Sequence, residues 1–194
     1  MSKAEKTRQF IVEKTAPIFN TKGFAGTSLS DMTTATGLTK GSIYGNFASK
    51  DEVALASFDY NLRKLRGYIQ GEEDKATTIK DKLKVRTRVF SDEQLTAYPV
   101  GGCPLLNTAT EADDTHPDLR KRVVDALESW KEKTMEMIAQ GISNKEIAAG
   151  TNVEQVTLTL MSMIEGAIMI SRTTGKKHYG RSVMEVAQQY IDSL

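Results

Sequence analysis

Along nearly the whole chain, apolar residues recur at intervals of three and four, the period of one helix face. From Lys3 to Lys22, Phe10, Ile11, Ile18 and Phe19 share a stripe, and Gly23 supplies a stop. Pro17 falls inside that run. A proline there removes a backbone hydrogen bond and crowds the carbonyl of Glu13, so a local bend is expected. A second, short helix is predicted from Ser28, an N-cap residue with Asp31 three positions on. It stops before Gly37 and turns Leu29, Met32 and Ala35 inward. Helical patterning resumes over Asp51–Tyr68, breaks at the charged Gly71–Thr78 and returns over Ile79–Leu95. Two prolines and two adjacent glycines interrupt it again at Ala97–Pro104. A short helix is predicted over Cys103–Ala112. A long one follows, capped by Thr115 or His116 with Pro117 in its first turn; Leu119, Val123, Leu127, Trp130, Met137 and Ile138 mark its buried stripe.

Two segments invite other readings. Thr157–Met163 alternates like a strand, yet Val153, Val156, Leu160, Ile164 and Ile168 recur at helical spacing around it, and length favours a helix over 153–174. Asn144–Gly150 resembles the first helix of a DNA-reading motif, but no basic second helix follows, so it reads as a connection. A last helix is predicted over Gly180–Leu194. No convincing strand is left, and the predicted fold class is all-α.

Composition adds two points. The chain of 194 residues is 39% hydrophobic and 26% charged, which is ordinary for a chain that builds a core, and it contains no uninterrupted apolar run of about 18 residues that would read as a membrane span. One cysteine, Cys103, cannot form an intrachain disulfide and suits a reducing cytoplasm. Charge is uneven: residues 1–50 carry seven basic and three acidic side chains, the remainder 19 basic and 22 acidic. A basic head on a mildly acidic body suggests that the head meets a polyanion.

The stretch Ser28–Phe47 makes that suggestion specific. A capped helix ends at Gly37, a turn follows, and Thr39 caps a second short helix, "TKGSIYGNF". Leu38, Ile43 and Phe47 can face Leu29, Met32 and Ala35, which leaves Thr39, Lys40, Gly41, Ser42, Tyr44, Gly45 and Asn46 outward or at the helix start. This is the layout of a helix-turn-helix, whose second helix presents its first residues to the major groove. Gly41 and Gly45 leave that outward surface bare, so the backbone can approach a duplex closely, at about 1 kcal/mol of helix propensity each. A nucleotide-type phosphate loop is excluded: the chain has no G-x-x-x-x-G-K-[ST] and no strand to carry one.

The segment "FNTKGFAGTSLSDMTTATGLTKGSIYGNFASKDEV" resembles the N-terminal domain of the TetR family of bacterial transcriptional regulators. The likeness rests on Phe19, Gly23 and Phe24, on Thr27-Ser28, on Gly37-Leu38-Thr39-Lys40-Gly41-Ser42-Ile43-Tyr44 through Phe47, and on Ser49-Lys50-Asp51-Glu52. It covers about the first 55 residues; the rest matches only in general plan. Gly45 and Asn46 stand where the family commonly carries a bulkier His or Tyr pair, and Thr33 where Ala is usual. The resemblance implies a three-helix helix-turn-helix domain over 1–50 and a helical effector-binding and dimerisation domain over 51–194. It implies a repressor bound as a dimer to double-stranded operator DNA and released by a small molecule. By their chemistry, Thr27 or Ser28, Tyr44 and Lys50 suit phosphates, while Thr39, Lys40, Ser42 and Asn46 suit base edges.

In the remainder, 153–170 is apolar on more than one face, which suits burial against both its own domain and a partner copy. Val183, Val186, Ala187, Tyr190 and Ile191 would supply the second interface helix. Cys103, Asn107 and Glu111 fall at successive i+4 positions, a polar stripe that could line an effector pocket, with Trp130 as a further candidate. A cysteine so placed could also sense electrophiles. The rival reading, a helical enzyme using Cys103 as nucleophile or redox thiol, has no orienting motif, since His116 and His178 lack metal-ligand or triad spacing. No cofactor or metal is expected.

Overall fold

The protein is described here by a computed structural model covering residues 2–91 and 99–194, with only the backbone of Phe90 and Ser91. The described residues form nine α-helices and no strand: α1 Lys3–Gly26, α2 Leu29–Thr36, α3 Lys40–Tyr44, α4 Lys50–Glu73, α5 Ile79–Ser91, α6 Pro104–Thr115, α7 Pro117–Ser143, α8 Val153–Thr174 and α9 Lys177–Ser193. Residues 92–95 of the predicted fifth helix, and Ala97 and Tyr98 of the predicted break, lie outside the described residues. The chain divides into two compact units, Met1–Leu65 with Tyr98–Val124, and Arg66–Ala97 with Asp125–Leu194.

The first unit is built around α1 to α3 and the start of α4. Its core is Ile11, Val12, Phe19, Met32, Ile43, Phe47, Val53 and Ala54, with Leu29 and Leu38 partly buried against it. Fully burying residues such as Met32 and Ile43 contributes about 1.5–3 kcal/mol each. The inward face of α1 is rotated from the predicted stripe. Ile11, Val12, Thr15, Ala16, Phe19 and Asn20 are buried, Phe10 is exposed and Ile18 half-exposed. Polar side chains turn it: Thr15 and Ser57 share a buried hydrogen bond of 3.2 Å, and Asn61 donates to the Ala16 carbonyl at 2.9 Å. Pro17 does not disturb the backbone dihedrals. The break in α1 comes at Gly23, with φ 73° and ψ 178°, after which one further turn runs to Gly26.

The second unit packs α5, α8 and α9 with the body of α7 around Ile79, Leu83, Ile138, Ile147, Val156, Leu160, Ala187 and Ile191. Ala187 and Ile191, expected at a dimer interface, therefore lie in the unit's own core. The connection before α8 earns its place by side chains rather than by helix: Ile147 enters the core and the Glu146 carboxylate accepts the Ile79 N–H at 2.6 Å, closing the start of α5. Glu73, buried at the end of α4, is paired with Lys133 at 2.9 Å, which offsets the desolvation of its charge. The helix α4 runs through Gly71–Glu73, so the charged break begins only at Asp74. The helix α8 has the predicted bounds. By length and mean hydropathy it could cross a membrane, although Glu154, Glu165 and Arg172 interrupt its apolar character; Val156, Leu160, Ile164, Ala167 and Ile168 turn inward.

Candidate nucleic-acid interface

Helix α2 begins with a complete capping box. The Asp31 N–H donates to Ser28 Oγ at 3.1 Å, and the Ser28 N–H donates to Asp31 Oδ2 at 2.9 Å. Lys22 reaches the other carboxylate oxygen at 2.6 Å. That lysine first, and then the Ser28 N–H and hydroxyl, hold the Asp31 carboxyl well below its ordinary value of 3.8. A depressed folded pKa stabilises fully above the ordinary carboxylate value of 3.8, and the contribution declines below that value and is lost only as pH falls through the much lower folded pKa. Asp31→Asn should therefore lower the urea midpoint at pH 7, with a deficit that shrinks as the pH is taken progressively below 3.8. A deficit that does not shrink on acidification would remove the carboxylate from the account.

The turn places α3 outward. Gly37 closes α2 in the left-handed conformation, and Thr39 caps α3 by accepting the Ser42 N–H at 3.2 Å. Ile43 and Phe47 are sealed in the core, whereas Thr39, Lys40 and Gly41 are exposed and Ser42, Tyr44 and Asn46 half-exposed. A Cβ on Gly41 would meet nothing closer than 3.9 Å, so no neighbour within the chain requires glycine there. Asn46 donates its side-chain amide to the Ser42 carbonyl at 2.9 Å, finishing α3 and leaving Oδ1 as an acceptor.

Sequence reasoning missed Arg8. Its guanidinium lies 4.0 Å from the Phe47 ring centre, donates to the Asn46 carbonyl and pairs with Glu52 at 2.7 Å. Glu52 also accepts the Ala48 N–H at 2.6 Å; this bond first, and Arg8 second, lower its pKa. Arg8 thus ties the start of α1 to the end of α3 and the start of α4. The arginine's partners lie 38 and 44 positions away, beyond the reach of any local signal in the sequence.

Of the other predicted contacts, Ser28 is exposed and Lys50 is half-exposed, with its ammonium 4.4 Å from the Phe24 ring centre. Thr27 is corrected. Its side chain is fully buried, and its hydroxyl donates to the Gly23 carbonyl at 2.6 Å, so it shapes the turn instead of facing a phosphate.

Of the predicted effector residues, Cys103, Asn107 and Glu111 lie in the first unit and Trp130 in the second. Glu111, on α6, accepts the Phe24 N–H at 2.6 Å and the Ala25 N–H at 2.7 Å. Asn107 donates to the carbonyls of Asn20 and Gly101, each at 2.9 Å, and Asn20 in turn donates to those of Val100 and Gly102. The i+4 spacing does put Asn107 and Glu111 on one face, but that face is spent on α1. Cys103, 1% exposed, precedes α6 without a side-chain capping bond. Trp130 lies in the second unit, beneath the Arg86 guanidinium at 4.9 Å, and lines a recess there with Leu83, Met137, Leu160 and Ile164.

The family models agree with this architecture. Residues 11–56 match the one described as bacterial regulatory proteins, tetR family, and residues 81–187 match the tetracyclin repressor-like C-terminal domain. The crystal structure of a TetR-family regulator from Cytophaga hutchinsonii is 45% identical, with 100% of this chain and 97% of that one covered and a TM-score of 0.97. One from Chloroflexus aurantiacus J-10-FL is 35% identical, covering 98% and 96%, with a TM-score of 0.92. At 17% identity, covering 93% and 94% with a TM-score of 0.80, the fold is also that of a cysteine mutant of the regulator CifR, solved with 26-bp double-strand operator DNA. The chain belongs to the TetR family and is a DNA-binding transcriptional regulator.

Proposed function

We propose that the protein is a cytoplasmic homodimeric repressor that binds a two-fold operator and leaves it when a small molecule binds. The observation that carries the DNA side is α3: its inward residues are sealed and its outward face is exposed, capped and bare at Gly41. On this reading Lys40, Thr39 and Ser42, exposed or half-exposed, read base edges, with Asn46 Oδ1 as an acceptor. Ser28, Tyr44 and Lys50, exposed or half-exposed, would hold phosphates and so fix register. One such helix reads too little sequence for strong specificity, and two copies on successive major grooves supply the rest.

The dimer reading is supported by apolar side chains left uncovered on α8 and α9, namely Leu158, Met169 and Ile170 on the first, Tyr179 and Val186 on the second. For the effector, the candidate is the recess at Trp130, whose largely apolar wall also carries Lys82, Arg86 and Thr134; at a cavity volume of about 10 Å³ it would have to open to admit a ligand. Occupancy would shift the population towards dimers whose α3 helices no longer match the operator. The burial of Cys103 speaks against the enzyme reading and against an electrophile sensor, because a reagent in solution has little access to the thiol.

The test begins with a selection for bound DNA fragments, followed by titration of the selected duplex at several salt concentrations. Affinity should fall steeply with salt. Lys50→Ala should weaken all sequences alike and lower the salt slope by about 1. Lys40→Ala should cost about 1–3 kcal/mol on the selected site and relax its sequence preference. Salt-independent binding, or wild-type affinity in both variants, would overturn the assignment.

A further inference from the structure

Helix α3 has five residues, fewer than two turns, and a helix that short holds no orientation of its own. Its start is set locally, by the left-handed Gly37 and the Thr39 cap. Its end is set from another helix. The Arg8 guanidinium donates through Nη1 to the Asn46 carbonyl and through Nη2 to Glu52 at 2.7 Å, and its carbon stands 4.0 Å from the centre of the Phe47 ring. Phe47 is sealed in the core, and Glu52 is fixed in turn, because its other oxygen accepts the Ala48 N–H at 2.6 Å.

The residue held in this way is Asn46. Its carbonyl is anchored on Arg8 and its side-chain amide on the Ser42 carbonyl at 2.9 Å, so the position of its half-exposed Oδ1 is set by both. An arginine suits the task and a lysine does not: a guanidinium fork serves two acceptors at once while its face meets an aromatic ring, and an ammonium is a single point charge. The charge of Arg8 is matched by Glu52, which favours a role in geometry over one in attracting phosphate.

We propose that Arg8 is a specificity-determining positioning residue: without touching DNA, it sets the base preference of Asn46 by holding that residue's backbone. This rests on α3 as the DNA-reading helix, and it makes the accuracy of that helix depend on a side chain of α1.

The experiment compares full-length wild type, Asn46→Ala, Arg8→Met, Arg8→Lys and the double variant Arg8→Met with Asn46→Ala. Each is titrated with the selected duplex and with duplexes in which every base pair is replaced in turn, and circular dichroism checks helicity. Asn46→Ala should flatten the preference at one base pair of each half-site. Arg8→Met should flatten the same one by ~10-fold, leave the other preferences and the salt slope as in wild type, and add nothing in the double variant. Arg8→Lys should fall short of wild type at that base pair. A readout without DNA is the side-chain amide NMR signal of Asn46, which should move in Arg8→Met. All sequences weakened alike with the salt slope lowered by about 1 would make Arg8 a phosphate contact. An equal loss at every base pair with the slope unchanged would make it a general support of the fold. Either result overturns the proposal, as do unmoved Asn46 signals or a wild-type profile in Arg8→Lys. A wild type that prefers no sequence, with the Asn46 signals moved in Arg8→Met, would overturn the reading of α3 and leave Arg8 as the anchor of Asn46.

Discussion

Gly23→Ala is expected to destabilise the first unit by about 2–4 kcal/mol and to weaken operator binding with it. Two independent costs combine. At φ 73° and ψ 178° the residue occupies a backbone region that is essentially glycine's alone, and an L side chain there costs about 1–3 kcal/mol. The new Cβ would also stand 2.5 Å from Glu111 Oε2 and 2.9 Å from its Cδ. The carboxylate must retreat and surrender the bonds from Phe24 and Ala25, and a hydrogen bond to a charged group contributes about 1.5–3 kcal/mol, reduced here because Glu111 is half-exposed to water. Adding Glu111→Ala separates the two, since it removes the collision but leaves the backbone strain. The double variant should be no less stable than Gly23→Ala alone, although Glu111→Ala by itself is destabilising. Urea unfolding of the four proteins measures this cycle. Additive losses would show that the glycine and the carboxylate act independently.

Local signals were the legible part of this protein. Ser28 with Asp31, Thr39 before α3 and the bounds of α8 all depend on residues within one turn of each other, and each stands as the sequence indicates. So does the inward set Met32, Ile43 and Phe47, on α2, on α3 and just after it, because elements this short allow little choice of face. What the pattern could not give is the partner of each face. Phe10 and Ile11 are equally apolar, yet only Ile11 is inward, since Thr15 and Asn61 fix the rotation of α1 through hydrogen bonds to α4 and from it. Glu111 looked like a pocket residue because its partners lie 86 and 87 positions earlier. Arg8 was passed over and Thr27 misjudged for the same reason: a side chain's hydrogen-bond partner is a property of the fold and not of its neighbours in sequence.

The second large effect is expected at the proposed dimer face. Met169→Glu combined with Val186→Glu should convert the protein to a monomer and weaken operator binding by ~100-fold or more, because a monomer loses the linked second half-site. Leu158 and Met169 are separated by eleven residues, close to three helical turns, so they share one face of α8, 46% and 50% exposed. Tyr179 and Val186 are seven apart and share a face of α9, with Val186 51% exposed. A carboxylate brought into an apolar interface loses its hydration without gaining a partner, and two copies of the chain double the number of such groups. The same substitutions sit outside the core of Ile79, Leu160, Ala187 and Ile191, so each unit should keep its helicity and its unfolding midpoint measured as a monomer. Sedimentation and circular dichroism separate the outcomes. A double variant that sediments as a dimer would place the interface elsewhere; a folded monomer with undiminished operator affinity would show that two-fold reading of the DNA is not needed.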